Sequence, residues 1–323
     1  MGDSYDVVIR TLGFGGGKYE ALLKSIKEQT VPPRHVYIFL AEGYSPPKER
    51  MGREQFIYTR KGMWHQRCFG MEYAASQPDA AEYQLVLDDD VAFDCDFVEN
   101  NVSLMGSLRA DIIVPRVGQL NPTQRTLLYA FLGSQFTKRN SSYWNEITAT
   151  AGHTLRPLAD DEEALPTQSA PFNGFFIKSQ AIGELKLRDE SWLDDATYAL
   201  PDDQVFFYKA YLAGVKAYYC PGIVLRHLDH GSSSPGRKEK AAFASGRNFY
   251  VFWHRYLWLR AASSRRKSLL LLGITYRIVN NALFQLAMCA PRKTTKVFRS
   301  YLSGVAAGMR FCRSSSYKKL PRV

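Results

Sequence analysis

The first ninety residues pass from apolar runs to helically spaced ones and back. "YDVVIRTL" (5–12) is a nearly continuous apolar run that predicts a buried strand. "GFGGG" (13–17) is a glycine turn, and "KYEALLKSIKEQ" (18–29) sets Leu22, Leu23 and Ile26 on one helical face. Pro32 and Pro33 stop that helix, and "HVYIFLAEG" (35–43) predicts a second strand. "QFIYTR" (55–60) predicts a third strand, "MWHQRCFGMEYAASQ" (63–77) a helix, and "YQLVLDDD" (83–90) the next strand. Strand, helix, strand in succession implies a parallel pair with a right-handed crossover. The fold class is therefore α/β, opening with a Rossmann-like half-sheet. "ADIIVPRV" (110–117) and "NGFFIKS" (173–179) add strands, and "VKAYYC" (215–220) predicts a short last one. "PDDQVFFYKAYLAG" (201–214) predicts a helix with Pro201 near its first turn.

From about residue 251 the texture changes. "SLLLLGITYRIVNNALFQLAMCA" (268–290) is apolar but is interrupted by Arg277, Asn280 and Asn281. That pattern predicts an interfacial helix lying in a membrane surface rather than a clean span, the alternative being a helix packed on the body. Charge sharpens the contrast. Residues 254–323 hold 15 Lys and Arg and no acid, whereas the rest holds 27 basic and 31 acidic residues within a net charge of +11. The expected division is thus a body, residues 1–250, and a basic amphipathic helical region, residues 251–323. The basic region seeks an anionic membrane surface. A nucleic-acid partner is not expected, because the body is net acidic and carries no RRM, KH or helix-turn-helix signature. Five scattered cysteines predict free thiols. The opening residues carry no basic n-region or apolar h-region. The expected location is the cytoplasm, peripherally on the inner face of the cell membrane.

The candidate chemistry begins where "YQLVL" runs into Asp88, Asp89 and Asp90. Adjacent carboxylates at a strand end need protons, solvent or a cation. In an extended segment Asp88 and Asp90 would share one side, where hard oxygen ligands suit Mg²⁺ or Mn²⁺ completed by phosphates. The bland alternative is a solvated acidic turn. Asp202 and Asp203 at a helix start offer a general base, or merely a helix cap. His227, Asp229 and His230 follow a predicted strand, where a neutral imidazole can complete a metal shell. Arg67 lies on a helix and could meet a phosphate. "GFGGGK" is not a phosphate-binding P-loop, because Tyr19 stands where Ser or Thr is required.

In this order, "VVIRTL", "LLKSIKEQTVPP", "FLAEG", "GMWHQRCFG", "LVLDDDV", "NGFFI", "PDDQVFFYK" and "LRHLDHG" resemble the family 2 glycosyltransferases of GT-A fold, over about residues 5–255. The resemblance implies a mostly parallel sheet flanked by helices. It implies inverting transfer of a sugar from a UDP-, GDP- or dTDP-linked donor to a glycan or lipid-linked acceptor, with Mn²⁺ or Mg²⁺, in cell-surface polysaccharide synthesis. Carried over, Thr11 and Glu42 hold the base and ribose, and Arg67 approaches the nucleotide. Asp88 and Asp89 serve the nucleotide side, Asp90 and His227 the metal, and Asp203 is the catalytic base. Asp202 stands where this family more often has Glu, and Asp202, His230 and Trp192 are further candidates. Two rivals remain: a glycoside hydrolase, which needs no metal-bound diphosphate, and a non-enzymatic basic nucleic-acid-binding protein.

Overall fold

The structure is a computed structural model, and it describes residues 4–118, 136–158, 162–228, 236–289 and 294–323. Strands β1 (Tyr5–Thr11), β2 (Val36–Ala41), β3 (Glu54–Thr59) and β4 (Tyr83–Asp88) run parallel in the order β4-β1-β2-β3. Helices α1 (Gly17–Lys27) and α2 (Met63–Ala75) make the first two helical links between them. After β5 (Val91–Phe93), α3 (Phe97–Ser107) leads to β6 (Ile112–Val117). A small three-stranded sheet follows, made of β7 (Phe136–Thr137), β8 (Asn145–Ile147) and β9 (His153–Leu155). The main sheet is completed by β10 (Leu165–Pro166), β11 (Gly174–Lys178) and β12 (Ala217–His227), in the order β10-β12-β6-β11-β4-β1-β2-β3. The architecture is mixed α/β, with a mostly parallel central sheet flanked by helices and a C-terminal helical region.

The apolar runs are continuous because both faces of the sheet are covered. Val7, Ile9, Leu85 and Leu87 point into the layer against α1 and α3. Val8 and Val86 point the other way, into a layer shared with α2, α4 (Ser179–Leu185) and α5 (Asp202–Leu212). Side chains alternate with a period of two along each strand, so a run buried on both sides is apolar at every step.

One strand departs from the parallel majority, and one expectation needs correction. β11 is antiparallel to both neighbours, β4 and β6. The last strand is not short: β12 continues past Pro221 and Gly222 to His227, with an irregularity between Cys220 and Val224. It therefore carries His227 itself, rather than ending before it.

The C-terminal region is α6 (Arg237–Phe252), a π-helical turn Trp253–Trp258, α7 (Ser264–Cys289), α8 (Lys296–Arg313) and α9 (Ser315–Lys318). α6 runs through residue 250 without a break. α8 packs closely on α6 through glycines: a Cβ on Gly304 would stand 2.1 Å from the Phe243 carbonyl oxygen. All five cysteines are free.

Candidate active site

The carboxyl ends of the parallel strands bring together residues far apart in sequence. β1 and β4 are paired in register, so Arg10 lies beside Asp88. Arg10 Nε donates to Asp88 Oδ1 at 2.8 Å, and an Arg67 terminal nitrogen donates to the same oxygen at 2.7 Å. The other terminal nitrogen of Arg67 donates to Asp202 at 2.9 Å. The guanidinium also lies over the Phe172 ring at 3.8 Å and donates to the Phe172 carbonyl at 2.9 Å. Two arginines and two aspartates thus form a neutral lattice linking β1, β4, α2 and the start of α5.

Within this lattice burial alone would raise the Asp88 pKa. Arg10 and Arg67 overcome it and hold the carboxyl below its usual range. Burial, followed by the Arg10 charge, pulls the Arg67 guanidinium down. With two carboxylates against it, and with arginine's high intrinsic basicity, it stays charged at neutral pH. At 2% exposure Arg67 has no open face for a nucleotide, and its position is that of a residue holding Asp88 and Asp202 in place.

α2 is itself pinned at both the helix start and the sheet. The Asp194 carboxylate accepts from the backbone N–H groups of Trp64 and His65 at 3.0 and 2.8 Å, occupying two donors a helix start leaves free. Gln66 donates to the carbonyls of Thr11 and Phe39, 3.1 Å each.

The aspartate triplet is divided rather than shared. The strand ends at Asp88, and Asp89 and Asp90 form the turn into β5. Asp88 and Asp90 therefore do not face one ligand as an extended segment would have them. Asp89 accepts from the Thr11 hydroxyl at 2.5 Å, and the same hydroxyl oxygen accepts from Gly13 N–H. Burial, with the charges of Asp88 and Asp90 beside it, raises the Asp89 pKa to about 6 against the lowering effect of Thr11. Asp90 Oδ2 lies 3.3 Å from His227 Nε2. The antiparallel β5–β12 ladder sets that pair, aligning His227 with Val91, and Leu228 N–H donates to the Asp90 carbonyl.

Asp203 sits in the first turn of α5, half-buried, accepting from Gln204 N–H at 2.7 Å. Burial and the neighbouring Asp202 charge raise its pKa to about 7. Gln204 in turn donates to the Ala151 carbonyl at 2.9 Å, tying the helix start to the loop after β8.

Glu42 is exposed in the turn after β2, with its backbone N–H donating to Thr59. Trp192 is not at this edge. Its ring is buried in a 3₁₀ segment, Leu187–Asp195, where its indole N–H donates to the buried Glu190 at 2.6 Å. His230 and Asp229 lie outside the described residues. Three contributors went unrecognised in the sequence. Arg10 had a signal, a charge breaking a buried strand. Phe172, under Arg67, had none. Phe14, 79% exposed, meets Tyr44 edge-on at the rim beyond β1 and β2, with Lys61 against the Tyr44 ring.

The charge balance bears on the metal. The arginine lattice is internally neutral, so Asp89, Asp90 and Asp203 remain as extra acids at one edge. Among the described residues no three ligating side chains converge on a point. Asp90 and His227 form a two-ligand pair, which suits a hard cation that takes its other oxygens from phosphates and water. The residues present fit such a metal.

No protein-family model matches the chain, and no curated protein matches it. Among solved structures it is similar to the crystal structure of GalNAc-T7 with UDP, GalNAc and Mn²⁺, with a TM-score of 0.52 and 14% identity over 86% of this chain and 55% of that one. It is also similar to the crystal structure of S. aureus TarS, with a TM-score of 0.46 and 12% identity over 85% of this chain and 43% of that one. The chain spans about half the length of the solved structures it matches. The likeness to the GalNAc-T7 structure is one of fold alone, a mixed α/β architecture with a mostly parallel central sheet flanked by helices.

Proposed function

We propose that the protein is a metal-dependent, inverting glycosyltransferase of family 2. In this reading it moves a sugar from a nucleotide-diphosphate donor to a hydroxyl of a glycan or lipid-linked acceptor in cell-surface polysaccharide synthesis. The observation that carries the reading is that the Asp90–His227 pair and the half-buried Asp203 share one sheet edge, the place where open α/β sheets bind ligands. The fold neighbour crystallised with UDP, GalNAc and Mn²⁺ supports it.

Asp90 and His227 would hold the divalent ion, Mn²⁺ or Mg²⁺. When bound, it neutralises charge on the diphosphate leaving group. Thr11 orients Asp89 toward the donor side. Glu42, and the rings of Phe14 and Tyr44, line the rim where a nucleoside would lie. Arg67 and Arg10 keep Asp88 ionised and Asp202 fixed, so the two aspartates of α5 keep their places. Asp203 accepts the acceptor hydroxyl proton as that oxygen bonds to the anomeric carbon. The bond from that carbon to the diphosphate oxygen breaks, and the nucleoside diphosphate leaves. A single displacement inverts the configuration and requires no protein nucleophile.

A panel of nucleotide sugars, assayed for nucleoside-diphosphate release with Mn²⁺, Mg²⁺ or chelator, tests this. We expect release with one donor class, abolished by chelator, and a product of inverted configuration. Hydrolysis of a glycoside without nucleotide or metal would favour the hydrolase instead.

A further inference from the structure

Helix α7 has two unlike faces. The inner face is fastened to the body. Leu270 and Ile274 are buried, and Trp253 Nε1 donates to the Leu270 carbonyl at 3.1 Å. Gly273 lies so close to the loop after β8 that a Cβ would stand 2.5 Å from the Ala149 carbonyl oxygen. Arg277, which by sequence interrupts the apolar run, turns inward too. It is buried with its guanidinium 3.8 Å over the Phe249 ring, and burial pulls its pKa down to about 10.

The outer face is apolar and exposed among the described residues. Leu269, Leu272, Val279, Leu283 and Leu286 are exposed by 50, 69, 51, 54 and 42%. Their spacings of three, seven, four and three residues keep them on one side of the helix. Arg277 is the only charged residue between Ser268 and Ala287, so the outer strip carries no charge over roughly 30 Å. By length and composition Ser264–Ala287 would suffice to cross a membrane. The backbone contact at Gly273 and the inward Arg277 hold it against the body instead.

We propose that α7 docks this protein side-on in the interface of a bilayer rich in anionic phospholipid. The leucines of the outer strip enter the acyl boundary. Arg260, Arg265, Arg266 and Lys267, all exposed around the helix start, meet lipid phosphates. Charge complementarity selects this occupant over a second copy of the chain. The strip also has the three-four spacing of a coiled-coil seam. Yet residues 254–323 contain no acid, and a second copy would set like charges together without complementary flanking pairs. The placement also bears on the proposed transferase. α7 rests on Ala149, and Ala151 two residues on accepts from Gln204, the neighbour of Asp203. Docking therefore joins the membrane-facing helix, through the loop on its body side, to the helix start that carries the candidate base, as an acceptor carried on a lipid would require; this last step rests on the transferase reading, and the docking does not.

The test is co-sedimentation of the full chain with vesicles of phosphatidylcholine alone or mixed with phosphatidylglycerol, beside a Leu272→Glu/Leu283→Glu variant. Wild type should pellet with mixed vesicles and be released by high salt. The variant should bind about tenfold more weakly with an unchanged melting temperature, since both positions face solvent. Wild type remaining in solution with mixed vesicles would overturn the proposal, as would a variant that pellets equally well. A wild-type dimer in sedimentation velocity that the variant dissolves would assign the face to a second copy, with the same consequence. None of these readouts uses a sugar donor, so failure here leaves the transferase reading standing, and the reverse.

Discussion

Asp203 carries the strongest tension at the site, a carboxylate with a pKa raised to about 7 by burial and by Asp202. In its proposed role as base it must be ionised, so Asp203→Asn should lower transfer by about 10²–10⁴-fold while leaving donor binding nearly intact. A loss of donor affinity equal to the loss of rate would remove it from the role. The same shift has a stability consequence. The unfolded carboxyl titrates near the usual ~3.9. Between there and pH 7 the folded state holds the proton that the unfolded state has lost, so stability falls as pH rises across that window. In chelator, Asp203→Asn should melt above wild type at pH 8, and the difference should vanish near pH 4. Equal melting temperatures at both pH values would show that Asp203 is not the strained group. For the metal, Asp90→Asn and His227→Ala should each raise the Mn²⁺ concentration needed for half-maximal activity, whereas Glu42→Gln should not. Asp88, Asp89 and Asp90 were legible in the sequence because they end an apolar run, and Asp202 and Asp203 because they open a helix. Their partners were not: Arg67 meets Asp202 across 135 positions, a contact that no local pattern records.

Single elements show which features local sequence determines. The β1-α1-β2 unit was readable because its strands are apolar at every step and its helix is one-sided. Strand direction was not, because an apolar run such as Gly174–Lys178 looks alike running either way, and β11 lies antiparallel to β4. The extent of β12 was hidden by Pro221 and Gly222, which ordinarily end a strand; here an irregularity at that point lets pairing resume at Val224. α2 shows how one distant residue sets an element. Its N-terminal neighbour Gly62 offers no side-chain cap, and Asp194 supplies the carboxylate instead. Asp194→Ala should cost about 0.5–2 kcal/mol of stability, the usual worth of a helix cap. It should also reduce activity, because α2 carries Arg67 into the arginine–aspartate lattice. A variant with wild-type unfolding in urea would mean that water replaces the cap at no cost.

On the scale of the whole molecule, the decisive group is Glu190, fully buried and invisible in sequence as anything but one more acid. It accepts from Lys209 on α5 at 2.8 Å, from Arg255 in the π-helical turn at 2.8 and 2.9 Å, and from the Trp192 indole. Burial would raise its pKa, but Lys209 and Arg255 overcome that and hold it below the usual range. The helix that presents Asp202 and Asp203 is thereby tied to the chain just beyond residue 250. The apolar packing agrees: Val251, Phe252, Trp253, Tyr256 and Leu257 share one buried cluster with Phe206 and Phe207 of α5. Removing one partner of a buried ion pair leaves the other charged and unsolvated, typically at about 3–5 kcal/mol. Truncation after residue 250 would remove Arg255 together with those five buried apolar side chains, uncovering Phe206 and Phe207, which share their cluster. We therefore expect the chain ending at residue 250 to be insoluble or to melt far below the full protein. Glu190→Gln in the full chain should be strongly destabilised, with a smaller loss for Arg255→Met, which retains apolar packing around a Glu190 still paired with Lys209. Urea unfolding of the two variants, beside solubility of the truncated chain, measures all three. A well-folded, soluble fragment 1–250 would show that this part of the chain stands alone, and that the C-terminal helices only rest upon it.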